Sequence, residues 1–289
     1  MKALFCMMMI AIPLFCPAAD AVRIGIAADI QYSTGQPPDA PDAELARSSA
    51  DTWEKIVDRF NAEKVDCVIQ LGDYIDDREP DDPEREKGED ADFKRVDRAS
   101  ARLAMPLYDV AGNNCRAALL RNRKNARLYD TFTRAELPGW RFVVLDSNDG
   151  RKKYVGSAQL AWLAATMREA EQNGERTVIL LHNPLAGEIR GHVKNNDEVF
   201  RILDRCPNLR AVFSGHRHEG GYQLRNGVHH VTMRAVENHP DSPTYAVLTF
   251  GANAIEERGF GVEPSRRLAF PAPAFAALPA QSRARQVAL

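Results

Sequence analysis

Cysteine is scarce in this chain of 289 residues, which holds five. Cys6 and Cys16 lie in an apolar N-terminal stretch, whereas Cys67, Cys115 and Cys206 are far apart and odd in number. This spacing excludes a zinc-type cysteine cluster and allows at most one disulfide bond. We therefore predict that the last three thiols are small buried side chains.

A surplus of positive charge is also missing. Lys and Arg number 38 against 40 Asp and Glu, so the formal net charge is -2, and nucleic acid is not expected as a partner. No second apolar run of about 18 residues follows the N-terminal one, so no membrane span is expected in the mature chain. Hydrophobic residues make up 44%, enough for a packed core. We predict a globular domain that recognises its ligand locally, and the oligomeric state stays open.

The N-terminal segment differs in composition from the rest of the chain. Lys2 precedes an apolar stretch that ends at Phe15, and small residues lead up to Ala21. This pattern is typical of a secretory signal peptide cleaved near Ala21. The apolar stretch is shorter than the roughly 20 residues that span a bilayer, and bulky Phe15 makes Cys16 a poor lipidation site. A buried N-terminal helix is the remaining alternative. We predict a secreted or periplasmic protein.

After this leader, the pattern predicts one domain over residues 22–270 and a poorly ordered, Pro/Ala-rich tail over residues 271–289. Strands are predicted at residues 22–30, 66–73, 105–112, 141–148, 176–183, 209–216, 228–236 and 244–250. Helices are predicted at residues 42–63 and 157–174, the second capped by Ser157 and closed by Gly174. Most strands are apolar at nearly every position, which indicates an α/β domain with helices outside the sheet.

One acidic segment interrupts these elements. Residues 76–92 hold ten acidic side chains, three basic ones and two prolines. We interpret the segment as a solvated loop, with a mobile rim beside a site as the alternative.

Polar side chains follow the predicted strands at the point where each strand ends. Those that can bind a metal ion are Asp29, Gln31, Asp73, Asn113, His182, His216 and His218. Each is a weak signal alone, because a lone Gly-Asp or Gly-Asn is usually a turn and a lone His-x-His usually lies on the surface. Carboxyl ends of strands in an α/β sheet form ligand sites, so we expect these side chains to converge.

The chemistry of this set indicates metal ions. Imidazole, carboxylate and carboxamide oxygen suit Mn, Fe, Zn or Mg without any cysteine. Seven such groups are too many for one ion. They suit two ions about 3.5 to 4 Å apart with a bridging carboxylate, an arrangement that holds a phosphate ester and generates hydroxide. We predict a metal-dependent enzyme that hydrolyses phosphorus-oxygen bonds.

Five motifs carry a family resemblance. In chain order, DIQ, GDYIDD, GNN, LHNP and GHRH resemble the calcineurin-like metallophosphoesterases, whose motifs are D-x-H, G-D, G-N-H, a lone His and G-H-x-H. Gln31 in the first motif is similar to the manganese-dependent ADP-ribose/CDP-alcohol diphosphatase subgroup, as are LDSNDG, GHRHEGGY, GVHHVT and GFGVEPSRRL. The resemblance covers roughly residues 22–268. It implies a four-layer α/β/β/α sandwich of two mixed sheets flanked by helices.

The resemblance also implies a role for each ligand. The first metal would be held by Asp29, Gln31, Asp73 and His218. Asp73 would bridge, and the second metal would be completed by Asn113, His182 and His216. Mn is the implied ion, with Fe, Zn or Mg as alternatives. The implied substrate is a small nucleotide-derived diphosphate such as ADP-ribose or a CDP-alcohol, and a plain phosphomonoester or phosphodiester is the alternative.

Asn113 and Asn114 are the catalytic candidates. Asn113 would take up charge on the phosphoryl oxygens. Asn114 departs from the family pattern, because it stands where the usual histidine donates a proton to the leaving oxygen, and a carboxamide cannot deliver one. A diphosphate releases a phosphate monoester, whose second pKa is about 6, and does not need this proton. We therefore expect a preference for good leaving groups. A metal-binding homologue without turnover is the rival interpretation.

Three further residues are candidates for substrate binding. Tyr32 and Tyr222 lie beside the motifs and can stack on a nucleobase. Arg116 follows Asn114 closely and can reach a phosphate. A solvated helix face is the alternative interpretation for Arg116.

Overall fold

A computed structural model describes residues 21–76, 83–187 and 191–271. The predicted signal peptide, apart from Ala21, and the predicted tail beyond residue 271 lie outside these ranges, so both stay predictions. In the described ranges, no helix is long and apolar enough to cross a membrane.

Twelve strands and five helices make up the described part of the chain. The strands are β1 Arg23–Ala27, β2 Cys67–Gln70, β3 Leu107–Asp109, β4 Asp130–Phe132, β5 Trp140–Leu145, β6 Arg176–Leu181, β7 Leu209–Ser214, β8 Glu219–Arg225, β9 Val228–Arg234, β10 Tyr245–Phe250, β11 Ala254–Phe260 and β12 Arg266–Ala269. The helices are α1 Ala43–Glu63, α2 Pro83–Ser100, α3 Arg116–Asn122, α4 Ser157–Gln172 and α5 Asn196–Leu203.

The strands form two six-stranded mixed sheets. The first sheet has the order β12-β11-β10-β1-β2-β3, and its strands β1, β2 and β3 are parallel. The second sheet has the order β4-β5-β6-β7-β9-β8, and its strands β5, β6, β7 and β9 are parallel. A parallel bridge joins Ala28, after β1, to Ala235, after β9. The carboxyl ends of both parallel sets therefore meet at one edge of the molecule.

Three apolar clusters lie between four layers. The cluster between the sheets includes Ile26 and Phe213. A second cluster, which includes Trp53 of α1 and Phe93 of α2, lies between the first sheet and α1, α2 and α3. A third, which includes Leu163, lies between the second sheet and α4 and α5. Strands buried on both faces explain the continuous apolar runs, and the predicted fold class is confirmed.

The prediction of a solvated loop over residues 76–92 is wrong for its second half. α2 begins at Pro83, because proline is well suited to the first turn of a helix, where its missing N–H is not needed. Phe93 and Val96 supply the buried face of this helix, and they follow the acidic run rather than alternate with it. Residues 77–82 lie outside the described ranges.

Other sequence predictions are corrected in detail. Ser157 is the first residue of α4 and not its cap, because Gly156 occupies the cap position and no side chain caps the helix. Strands β4, β8, β11 and β12 and helix α5 were not predicted, because they are short or rich in polar residues. The remaining cysteines are free, and Cys67 and Cys115 are buried, whereas Cys206 is half-buried.

Candidate metal centre

Tight turns at the strand ends bring the predicted ligands together. Four of the seven non-glycine residues with left-handed backbone in the described ranges lie here, with φ of 55° at Asp29 and Gln31, 53° at Asp73 and 68° at His216. Each such conformation costs about 1 to 3 kcal/mol, and such strain clusters at functional sites.

Glycine allows these turns to approach one another. A Cβ on Gly112 would lie 2.1 Å from Oδ1 of Asp73, and one on Gly72 would lie 2.7 Å from Nδ1 of His182. No side chain fits at either distance. The Gly-Asp and Gly-Asn pairs of the sequence are therefore needed for close packing and not only for chain reversal.

His182 and Asp73 form the buried centre of the site. Neither side chain is exposed beyond 1%, and Nε2 of His182 lies 3.0 Å from Oδ2 of Asp73. Nδ1 of His182 lies 2.9 Å from the carbonyl oxygen of Leu71. A carbonyl only accepts, so Nδ1 carries the proton, and the lone pair of the neutral ring lies on Nε2.

The atoms around this Nε2 call for a cation. Oδ1 of Asn113 lies 3.1 Å from Nε2 of His182, and Oδ2 of Asp73 contacts the same nitrogen. Both neighbours are acceptors, so an unprotonated Nε2 faces them without any donor between them. Either an extra proton or a metal ion resolves this arrangement, and the donor set therefore fits a metal ion. Asp73, His182 and His216 offer ligand atoms that all lie within 4.8 Å of one another.

Asp29 and the two later histidines form the other side of the site. The backbone N–H of His216 donates to both carboxylate oxygens of Asp29, at 3.1 and 2.9 Å. Nε2 of His218 lies 3.7 Å from Oδ1 of Asp29. Nδ1 of His218 faces Oδ1 of Asn238 at 3.3 Å and Oε2 of Glu237 at 3.7 Å. These acceptors favour a proton on Nδ1, which leaves Nε2 to bind an ion.

A chain of three carboxamides crosses the site. Nδ2 of Asn113 donates to Oδ1 of Asn114 at 2.6 Å, and Nδ2 of Asn114 donates to Oε1 of Gln31 at 3.0 Å. The Gln31 Nε2 then donates to Oδ2 of Asp73 at 3.2 Å and faces Nε2 of His218 at 3.3 Å. The structure thus turns the amide oxygen of Asn113 toward His182 but the amide nitrogen of Gln31 toward Asp73. Metal binding through Oε1 of Gln31 requires rotation of that amide.

Charge in this pocket shifts several pKa values. Burial raises the pKa of Asp29 to about 6, although His182 and His218 oppose the rise. Burial also acts to raise the pKa of Asp73, but the charge of His182 lowers it below the usual range. For His182, burial would lower the pKa, yet Asp73 raises it to about 9. Burial and the charge of His182 lower the pKa of His216 to about 3.

The three predicted substrate residues have different surroundings. Tyr32 packs against the cluster between the first sheet and its helices. Tyr222 lies on the edge strand β8 and is 49% exposed. Its hydroxyl lies 2.9 Å from Nδ1 of His229. His229 is near the amino end of β9, so Tyr222 lies away from the carboxyl ends of the strands, where the predicted ligands are. Tyr32 follows Gln31 directly, and Arg116 follows Asn114 by two residues. Substrate contacts of all three stay predictions.

Three polar residues of the site are not among those predicted from the sequence. Glu237 and Asn238 face His218, and Asp76 accepts from Nδ2 of Asn114 at 3.3 Å. Glu237 and Asn238 follow β9 closely, so the position at a strand end that singled out the predicted ligands applies to them as well.

Comparison with known proteins identifies the family. A family model described as calcineurin-like phosphoesterase matches residues 22–220. The chain belongs to the calcineurin-like phosphoesterase family. The predicted resemblance and the predicted enzyme class, a metallophosphoesterase, are confirmed.

Individual relatives agree with this family. The manganese-dependent ADP-ribose/CDP-alcohol diphosphatase of Danio rerio is 25% identical, over 82% of this chain and 94% of that protein. A 3',5'-cyclic-nucleotide phosphodiesterase of Nostoc is 24% identical, over 58% of this chain and 61% of that protein. The crystal structure of a dimetal phosphatase from Danio rerio matches the fold with a TM-score of 0.73 and 21% identity, over 87% of this chain and 99% of that one.

Metal binding by this phosphoesterase is predicted to release protons. At pH 7 the His182 ring of the metal-free protein carries a second proton, on Nε2, because its pKa is raised to about 9. A metal ion that binds Nε2 must displace this proton. Calorimetric titration with Mn²⁺ in two buffers of different ionisation enthalpy is expected to show release of about one proton at His182. Affinity should rise with pH up to about 9. His192→Ala, which alters an exposed histidine, serves as the control. Absence of proton release at pH 7 would contradict the prediction.

Proposed function

We propose that this phosphoesterase is a dimetal diphosphatase that hydrolyses nucleoside-diphosphate-linked compounds, such as ADP-ribose or CDP-alcohols. The observation that carries the proposal is the position of Asn114. Its side chain lies among the predicted metal ligands, hydrogen-bonded to Asn113, Gln31 and Asp76, where a carboxamide cannot release a proton. The substrate class named for the Danio rerio relative supports the same choice.

Two divalent ions, which we propose to be Mn²⁺, would activate water at neutral pH and neutralise charge on the phosphate. We propose that they are held by Asp29, Asp73, Asn113, His182, His216 and His218, with Gln31 after rotation of its amide. Asp73 lies between the two groups of ligands, since it contacts both Gln31 and His182. The backbone N–H of Asn114 donates to Oδ1 of Asp73 at 2.8 Å, and this hydrogen bond fixes the orientation of the carboxylate.

The leaving group decides what the missing acid costs. The oxygen of a water molecule joins one phosphate, one proton of that water is released to solvent, and the bridging oxygen departs with the bonding electron pair on the other phosphate. The product is a phosphate monoester, whose second pKa of about 6 lets it leave as an anion at neutral pH. A simple alkoxide needs a proton as it leaves, and a positioned acid is typically worth about 10² to 10⁴ in rate.

Two other functions compete with this proposal. The Nostoc phosphodiesterase relative favours phosphodiester hydrolysis, but its alcohol leaving group is the kind that Asn114 does not assist. A metal-binding protein without turnover is the second competitor. The buried pairing of Asp73 with His182 and of Asp29 with His216 suits metal binding with or without turnover, so a measurement of hydrolysis separates this competitor from the proposed enzyme.

A hydrolysis screen tests the proposed function. Purified protein is incubated with Mn²⁺, Mg²⁺, Zn²⁺ or Fe²⁺ and with nucleoside-diphosphate compounds, phosphodiesters or phosphomonoesters. We expect release of a nucleoside monophosphate from the diphosphates, fastest with Mn²⁺, and His216→Ala should abolish it. Faster turnover of phosphodiesters or phosphomonoesters would support the competing hydrolases, and no turnover of any substrate would support the binding protein.

Restoring the acid is expected to change specificity. Asn114→His should speed the hydrolysis of an alkyl phosphodiester by about 10² or more, because an acid can then protonate the alkoxide, while a CDP-alcohol should gain little. The measurement is kcat/KM for both substrates. Asn114→Gln keeps a carboxamide without an acid and should show no gain. Equal acceleration of both substrates by the histidine variant would show that the leaving group is not the reason for Asn114.

A further inference from the structure

Arg116 is anchored on one side and open on the other. Its Nε donates to Oδ2 of Asp146 at 2.9 Å, and the side chain of Asp146 is 1% exposed against 31% for that of Arg116. Among the residues that the structure describes, the two terminal nitrogens of Arg116 have no hydrogen-bond partner. The guanidinium therefore retains four N–H donors for an anion that approaches from solvent.

Asp146 lies directly beside His182, one of the predicted metal ligands. Asp146 follows β5 and His182 follows β6, and the preceding residues, Leu145 and Leu181, are paired in parallel register. Adjacent strands are about 4.8 Å apart, so Asp146 and His182 are neighbours. Leu145 and Leu181 belong to the cluster on the helix side. Side chains alternate along a strand, so Asp146 and His182 are both placed on the side that faces the first sheet.

Hydrogen bonds fix both Arg116 and Asp146. The backbone N–H of Arg116 donates to the carbonyl of Gly112 at 3.1 Å, in the same turn that places Asn113 and Asn114. Oδ1 of Asp146 accepts from the backbone N–H of Asn148 at 2.8 Å. The guanidinium is thus held in a defined position relative to Asn113 and His182, by a carboxylate that is itself buried.

We propose that Arg116, oriented by Asp146, binds the phosphate that departs when the diphosphate bridge is cleaved. This inference rests on the proposed function and names the second phosphate subsite of the same centre. The P–O bond breaks with its electron pair on the bridging oxygen, so negative charge grows on the departing phosphate. Arginine stabilises such charge through charge-assisted, bidentate hydrogen bonds. Arg116 thereby supplies, as a fixed positive charge, part of what a proton donor at position 114 would supply.

A binding experiment tests this subsite without any turnover. Methylenediphosphonate, which cannot be hydrolysed, and orthophosphate are titrated into the Mn²⁺-loaded enzyme by calorimetry. Only the first ligand has a second phosphoryl group to reach Arg116. Arg116→Gln is expected to weaken methylenediphosphonate binding by about 10-fold to 100-fold, the range for loss of a charged hydrogen bond, and to change orthophosphate affinity less than about twofold. Arg116→Lys keeps the positive charge but lacks the planar guanidinium that forms two parallel hydrogen bonds. Its affinity for methylenediphosphonate should lie between those of the wild type and the glutamine variant.

Controls separate a subsite from a general effect of charge. Arg127→Gln removes an arginine that is mostly exposed and paired with Asp130 three residues later, and should leave both affinities unchanged. Asp146→Asn should weaken methylenediphosphonate binding less than Arg116→Gln, because the arginine stays but loses its charged anchor. Mn²⁺ content is measured in every variant to confirm that the metal centre is intact.

Two outcomes would overturn the inference. If Arg116→Gln weakens the binding of both ligands equally, the residue contributes only to the overall positive potential of the site. If both affinities are unchanged, Arg116 belongs to a solvated helix face and binds neither ligand. Failure of the proposed function is a separate result. An enzyme that hydrolyses no diphosphate, yet binds methylenediphosphonate through Arg116, would retain the subsite and lose the proposed substrate.

Discussion

The buried carboxylate of Asp73 is the group on which the rest of the site depends. It is inaccessible to solvent, and it contacts the ring of His182, the amide of Gln31 and the backbone N–H of Asn114. An ionised carboxylate in such a place is costly unless it is paired or bound to a metal ion. The tight turns at Gly72 and Gly112 serve this group, because they let three strand ends close around it.

The double sheet explains how distant parts of the sequence reach this carboxylate. β1 and β2 are parallel neighbours in the first sheet, and β6 and β7 are parallel neighbours in the second. Their carboxyl ends deliver Asp29, Asp73, His182 and His216 to one edge. The apolar cluster between the sheets holds the two edges together, so the geometry of the site is fixed by the core and not by the loops. The strained, left-handed backbone at three of these four residues is tolerated because the sheets fix the chain on either side.

The sequence was sufficient to predict that the candidate metal ligands converge, because carboxyl ends of parallel strands share an edge whatever the loops between them do. It was also sufficient for the two-faced burial of the strands. It was not sufficient to predict α2, because the apolar face of this helix follows a long acidic run. It was also not sufficient to predict β8, because its two glycines are uncommon in strands. The direction of the Gln31 amide depends on Asn114, 83 residues away, and Arg116 required knowledge that Asp146 and His182 are neighbours. Such contacts arise from tertiary packing and leave no local pattern.

The buried carboxylate of Asp73 is expected to organise a centre for two metal ions. The most direct test is the metal content of the purified protein after loading with Mn²⁺ and gel filtration, measured by mass spectrometry for wild type and for Asp73→Asn. We expect about two ions per chain in the wild type, as for a two-metal site, and loss of both in the variant. Retention of both ions by Asp73→Asn, or a single ion in the wild type, would show that Asp73 does not organise such a centre.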